Sequence, residues 1–204
     1  MSQIDLWEIE RSYFEKGIIT ICGVDEAGRG PLAGPVCAAA VILPGYLEIP
    51  GLNDSKKLTD KRRRELVPII KDQALSYGIA FATPEEIDNI NILQATFLAM
   101  ERALAQLNIR PDLALIDGNR QKDFGINIET VIKGDSRSAN IAAASVLAKV
   151  TRDDYMEEMA LKYPGYGFEI HKGYGTKAHY EALRKLGHCP IHRMSFLRKF
   201  YGQA

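Results

Sequence analysis

The chain has 204 residues, 46% of them hydrophobic, with 26 basic and 26 acidic side chains. That length supports one well-buried domain with at most a small appendage. The neutral balance excludes a global field that would draw the protein to nucleic acid, so any such binding has to come from local segregation of charge. No apolar run approaches the roughly 20 residues that span a bilayer, and the polar, acidic start Met-Ser-Gln-Ile-Asp-Leu-Trp-Glu-Ile-Glu excludes an ordinary secretory signal. Cys22, Cys37 and Cys189, at unrelated spacings, read as reduced, buried small hydrophobes of a cytoplasmic protein.

In chain order, Leu6, Ile9 and Tyr13 mark one side of a short helix over 5–16. The β-branched run 17–22 reads as a buried strand, and 36–43 as a second that halts at Pro44-Gly45. Between them lies Gly23-Val-Asp25-Glu26-Ala-Gly28-Arg29-Gly30-Pro-Leu-Ala-Gly-Pro35. Two carboxylates at the end of a core strand are unfavourable unless paired, hydrated or bound to a cation. The glycines beside them leave backbone N–H groups uncovered, and Arg29 adds a guanidinium. Acid next to anion-binding groups suits metal-assisted phosphodiester chemistry; the plainer reading is a solvated turn. Neighbouring strand residues point to opposite faces, so both carboxylates share a site only if Glu26 sits where the strand leaves the sheet. The formal dinucleotide fingerprint Gly28-x-Gly30-x-x-Ala33 needs a helix starting at the glycines, which Pro31, Pro35 and the strand-like continuation oppose.

Residues 51–58 read as a loop and Thr59 as the N-cap of a helix to about Ala74, exposing Lys61, Arg62, Arg63 and Arg64 and turning Leu66, Ile69 and Ile70 inward. A third strand, 77–82, ends at Thr83-Pro84. Leu93, Phe97, Met100, Leu104 and Leu107 mark an amphipathic helix over 91–107. Strands at 113–116 and 128–133 run into Asp117-Gly118-Asn119 and Gly134-Asp135-Ser136. A long helix over 138–161 follows, turning Ile141, Ala144, Ala148, Tyr155 and Met159 inward, its small residues calling for close packing on the sheet. Strands alternating with helices after an initial strand pair predict an α/β layered fold with a mixed sheet. Asp25 with Glu26, Asp117 and Asp135 thus stand at three strand ends. Each alone is an ordinary turn residue; together they predict a hard-cation site of oxygen ligands. His188-Cys189-Pro-Ile-His192 lacks the remaining ligands of a zinc site. From residue 171 the tail carries Lys172, Lys177, Arg184, Lys185, Arg193, Arg198 and Lys199 against the single acid Glu181. Interleaved Tyr163, Tyr166, Phe168, Tyr174 and Tyr180 add rings on which bases or sugars stack.

The motif 23–35, with Asn53-Asp-Ser-Lys56-Lys57-Leu58, Ile116-Asp117-Gly118-Asn119, Lys133-Gly-Asp135-Ser136, Ala142-Ala-Ala-Ser145-Val-Leu-Ala-Lys149 and His171-Lys172-Gly173-Tyr174-Gly175-Thr176, resembles bacterial ribonuclease HII. The likeness runs in order from about residue 18 to the C-terminus. It implies a ribonuclease H-like mixed β-sheet flanked by helices over 1–162, with a basic, Tyr/Gly-rich helical extension over 163–204. By the same resemblance Asp25, Glu26, Asp117 and Asp135 are the catalytic, metal-binding acids, Gly28, Arg29 and Gly30 contact the substrate backbone, and Tyr174 senses the ribonucleotide–DNA junction. Ribonuclease HIII lacks the Gly-Arg-Gly triplet and has a longer N-terminal domain. The implied activity is endonucleolytic hydrolysis of the RNA strand in RNA–DNA hybrids and incision at ribonucleotides embedded in duplex DNA. Two Mg²⁺ or Mn²⁺ ions would serve it, leaving 5′-phosphate and 3′-hydroxyl ends. The expected state is a cytoplasmic monomer with no membrane partner. Lys56 and Lys57 are candidate phosphate contacts, and Arg152 and Asp153 read as surface or supporting pairs. A non-catalytic nucleic-acid module would have no reason to cluster acids at strand ends. A small-molecule phosphohydrolase would not need the basic, aromatic tail.

Overall fold

The computed structural model describes residues 5–202; the outer ends of the two expected regions, 1–4 and 203–204, lie outside them. Strands β1 (Ile21–Ala27), β2 (Val36–Ile42), β3 (Ser76–Ala82), β4 (Leu113–Asp117) and β5 (Ile128–Val131) form one sheet in the order β3-β2-β1-β4-β5. The first three are antiparallel, and β4 and β5 run parallel to β1, so the sheet is mixed. Helices α1 (Glu8–Phe14), α2 (Asp60–Gln73), α3 (Pro84–Leu104) and α4 (Ala139–Lys162) flank it, followed by the short α5 (Phe168–His171), α6 (Lys177–Leu186) and α7 (Met194–Leu197). Among the described residues no helix is long and apolar enough to cross a membrane.

The two-residue period of β2 sorts the core. Cys37, Ala39 and Val41 pack with Leu66 and Ile70 of α2 and the alanines of α4; Ala38, Ala40 and Ile42 pack with Ile87, Phe97 and Met100 of α3. Ala142, Ala143, Ala144 and Ala148 are fully buried because α4 lies directly on the sheet. A Cβ added at Gly23 would collide with the Asn140 backbone, so the small residues on both sides set the approach. At the start of α4, buried Glu10 of α1 accepts hydrogen bonds from Ser138 Oγ (2.5 Å) and Asn140 Nδ2 (3.0 Å).

Several boundaries differ from expectation for physical reasons. β1 begins at Ile21, where its parallel partner begins at Leu113, and runs on through Asp25 and Glu26. Thr83 and Glu86 form a capping box that starts α3 at Pro84. Asn91, at φ 66°, breaks that helix, and its Oδ1 accepts from the amides of Leu93 (3.0 Å) and Gln94 (3.2 Å) to restart it. The apolar period read from residue 91 belongs to this second half. Arg63 faces inward, donating to the carbonyls of Ser55 (2.8 Å) and Leu58 (2.6 Å), and so anchors the loop that carries Lys56.

The extension also departs from its reading as a stacking surface. Tyr166 and Phe168 stack on each other, centroids 5.2 Å apart, and join Leu183, Ile191 and Leu197 in a cluster against Leu32, Ala33 and Met156. Tyr163 and Tyr180 pack at its edge. A segment with no sheet of its own builds its core from large rings, which leaves Tyr174 exposed among the five. Its basic charge is likewise partly internal: Arg193 is fully buried, and Lys172 Nζ bonds Glu157 (2.8 Å) and the Glu169 carbonyl (2.7 Å).

Candidate active site

The site opens where one strand outruns its neighbour. β1 pairs with β4 up to Val24 and Ile116, while Asp25 and Glu26 remain paired with Ala39 and Ala38 of β2. Glu26 therefore stays in regular register, and the expectation that it must leave the sheet is corrected. The end of β4 leaves a notch that Asp25 enters from the α4 face and Glu26 from the other. Asp25, Glu26 and Asp117 line a cavity of about 240 Å³ together with Gly28, Arg29, Gly30, Ser55, Lys56, Ser145, Lys149, Arg152 and Tyr174. Asp135 sits beside it, buried in the turn Gly134–Ser136, with Oδ2 3.4 Å from Lys56 Nζ. The Gly134 amide donates to Asp117 Oδ1 (2.7 Å), tying that turn to the end of β4.

Burial, then the charges of Glu26 and Asp117, hold the Asp25 carboxyl well above its usual pKa. Burial also raises Glu26, where Arg29 pulls down and Asp117 pushes up. Asp117 and Asp135 are raised, again chiefly by burial. For Lys56, burial opposes the charge, but Asp135, Asp25 and Asp117 more than offset it and raise its pKa. Hard oxygen donors held in mutual repulsion fit a divalent cation, whose charge removes that repulsion. The donors are gathered without being closed: among the described residues no three His, Cys, Asp or Glu side chains already form a finished ligand set.

Beside the notch, two buried guanidiniums shape the glycine turn. Arg193 donates to the carbonyls of Gly34 (2.8 Å), Arg29 (2.9 Å) and Gly28 (2.6 Å). Arg152, 1% exposed, donates to those of Pro35 (3.0 Å), Ala33 (3.2 Å) and Lys172 (3.1 Å). In a trans peptide the carbonyl and the next N–H point in opposite directions, so drawing in the Gly28 and Arg29 carbonyls turns the Arg29 and Gly30 amides away from Arg193. Gly28 has φ +96°, and a Cβ there would strike the Arg152 side chain. Burial, with the Arg152 charge second, lowers Arg193 to about 9, and burial lowers Arg152. Tyr174, 45% exposed, places its ring edge 3.6 Å from where a Gly30 Cβ would stand. Arg29 reaches back to Glu26 (3.3 Å).

Lys56 lines the cavity; Lys57 does not, and its Nζ lies 3.9 Å from Asp54. Arg152 is no surface residue, and Asp153 is buried against Lys149 Nζ at 2.7 Å. Sequence reasoning also missed Ser55 and Ser145, whose hydroxyls are 2.7 Å apart, and the turn-shaping role of Arg193. A signal for Ser145 was present: with Lys149 and Arg152, which also line the cavity, it is spaced i, i+4, i+7 on one face of a helix.

A mixed sheet crossed by a long helix, with carboxylates gathered at its strand ends, defines a metal-dependent nuclease of the ribonuclease H-like class. The chain belongs to the ribonuclease HII family, whose model matches residues 22–199. It is 57% identical over 193 residues to ribonuclease HII of Endomicrobium trichonymphae, covering 94% of this chain and 92% of that one. With ribonuclease HII of Caldicellulosiruptor bescii the identity is 53%, over 94% and 93% of the two chains. The crystal structure of ribonuclease H2 from Pyrococcus horikoshii OT3 superposes with a TM-score of 0.73 at 28% identity, covering 90% of this chain and 97% of that one. The protein is a divalent-metal-dependent ribonuclease H that cleaves the RNA strand of RNA–DNA hybrids.

Proposed function

We propose that the enzyme also incises duplex DNA at single embedded ribonucleotides, leaving 5′-phosphate and 3′-hydroxyl ends. In this reading Asp25, Glu26, Asp117 and Asp135 hold two Mg²⁺ or Mn²⁺ ions. Bound divalent ions supply the Lewis acidity for in-line attack of water on phosphorus and for the departing 3′-oxygen. The chain's own groups do the rest. Lys56 balances the acids until the ions arrive and then meets the scissile phosphate. Lys57, outside the cavity, meets phosphates further along the strand. The outward amides of Arg29 and Gly30 reach the ribose 2′-hydroxyl, the group that separates RNA from DNA without base readout. Tyr174 lies on the following sugar, where a second 2′-hydroxyl would crowd its ring.

The observation that carries this reading is the half-exposed Tyr174 ring set against Gly30 at the mouth of the carboxylate cavity. Residues 163–204 then act as an extension that covers the ribonucleotide–DNA junction, and the protein works as a monomer. Three free, buried cysteines suit a reducing compartment such as the cytoplasm. The test compares a duplex holding one ribonucleotide with a continuous hybrid, in Mg²⁺, Mn²⁺ or chelator, with the cut mapped at nucleotide resolution. Incision at the ribonucleotide with either ion is expected. Cleavage of the hybrid alone would overturn the extended specificity.

A further inference from the structure

Behind Tyr174 three imidazoles, the half-buried His171 and the buried His179 and His192, form a chain that the hydrolytic chemistry does not use. His171 and His179 stack with centroids 4.5 Å apart, and His179 Nε2 lies 3.0 Å from His192 Nε2. Their partners determine where every proton sits. His179 Nδ1 faces the Tyr174 carbonyl at 2.9 Å, which only accepts, so Nδ1 carries the proton. His179 Nε2 is then a bare acceptor, and His192 Nε2 must donate to it. His192 Nδ1 is in turn bare and accepts from the Cys189 amide at 2.9 Å, the shortest of its contacts, with the Cys189 thiol at 3.1 Å and carbonyl at 3.2 Å beside it. His171 follows the same logic, donating from Nε2 to the Tyr166 carbonyl (2.8 Å) and accepting at Nδ1 from the Gly173 amide (3.2 Å).

The two ends of the His192–His179 bond belong to the two elements assigned to substrate reading. On one side, His171 and His179 hold the backbone of Gly173 and Tyr174. On the other, His192 bridges Ala33, and its neighbour Arg193 grips the carbonyls of Gly28 and Arg29. We propose that the His192-to-His179 hydrogen bond is a positioning strut that sets Tyr174 against the Gly-Arg-Gly turn, and that it stands only while His179 Nε2 is unprotonated. The inference rests on the reading of Tyr174 and the turn given above. A proton added at His179 Nε2 would meet the His192 N–H head-on. Around the pair stand the rings of His171, His188 and Tyr166 and the Cys189 thiol. Burial first, and neighbouring imidazoles after it, lower the pKa of both rings. The Leu32 amide also bonds the Gly173 carbonyl at 2.8 Å, so the two elements stay joined when the strut alone is removed.

His179→Asn keeps a donor at the Nδ1 position for the Tyr174 carbonyl and loses the reach to His192. His192→Asn keeps an acceptor for the Cys189 amide and loses the reach to His179. Each variant is expected to lower kcat/KM on the embedded ribonucleotide about fivefold, the size of one buried hydrogen bond. KM should carry the loss, and the continuous hybrid should be less affected. Because both break the same bond, the double variant should lose no more than either single one. In ¹⁵N-histidine spectra of the wild-type enzyme, the Nδ1-protonated tautomer is expected for His179 and the Nε2-protonated one for His192. The opposite tautomers, additive losses, or wild-type KM in both variants would overturn the strut. Tyr174→Ala, assayed alongside, separates the two ideas. If it loses selectivity while the histidine variants do not, the strut fails and the site reading stands; if it cuts like wild type, the reading falls and takes the strut with it.

Discussion

The carboxylate notch and the guanidinium corner beside it are both buried and both charged, and they treat that charge differently. At the notch burial first, and neighbouring carboxylates after it, raise the pKa of Asp25, Glu26, Asp117 and Asp135, with Lys56 Nζ 3.4 Å from Asp135. In the corner Arg152 and Arg193 lie equally deep, and six backbone carbonyls accept their hydrogen bonds. The notch carries acceptors in excess, so it waits for a cation from outside. The corner is satisfied from within, so it is rigid and can present amides and a ring at fixed positions. On the proposed function, chemistry falls where charge is unbalanced and recognition where it is balanced.

This contrast predicts opposite signs for substitutions in the two regions. Asp117→Asn keeps the acceptor for the Gly134 amide and removes one negative charge. Cleavage at saturating Mg²⁺ should fall by more than about a hundredfold, while the melting temperature of the metal-free protein rises. Near-wild-type turnover would break the assignment of the notch. Arg193→Leu should act the other way, chiefly on the fold. It leaves the carbonyls of Gly28, Arg29 and Gly34 unpaired, and a loss of about 3 kcal/mol is expected, or about 6–12 °C in melting temperature. A variant as stable as wild type would show that the corner is not held by its guanidiniums.

Smaller effects sharpen the picture. Tyr174→Ala should lower cleavage at an embedded ribonucleotide about tenfold, the scale of one stacking contact, with little change in melting temperature because the ring is 45% exposed. Tyr174→Phe separates the ring from its hydroxyl. The corner should also show acid sensitivity of a definite sign. His192 is lowered from 6.5 to about 4, mainly by burial, so the unfolded chain takes a proton that the folded one refuses. Its contribution to stability is complete above pH 6.5, is lost as the pH falls to about 4, and changes no further below that. Thermal melts of wild type against His192→Asn should converge across that window; parallel curves would remove His192 as the cause. The smallest effect belongs to Lys57→Ala, which should reduce the slope of log affinity against log salt by at most about 1, one phosphate's worth. A larger change would place Lys57 at the centre of the interface.

The strand–helix alternation, the acids at three strand ends and the Gly-Arg-Gly motif were legible in the chain because each is a local pattern. An apolar run ends, a carboxylate follows, and the period of the hydrophobic residues names the element. Thr59 caps its helix as its position predicts for the same reason. Other features needed the assembled molecule. Glu26 shares a site with Asp25 because β4 stops at Asp117, a relation between strands far apart in sequence. Arg193 looks like a solvated base until folding surrounds it with carbonyls from the glycine turn, and for Arg152 local spacing gives a helix face without the carbonyls that bury its charge. The tyrosines of the tail likewise read as one set, and packing separated Tyr166, in the core, from Tyr174, at the cavity. Periodicity records which residues avoid water, so sequence determines the elements and the identity of the charged groups. Burial and partnership of those charges depend on contacts between distant segments, and these the tertiary structure alone decided.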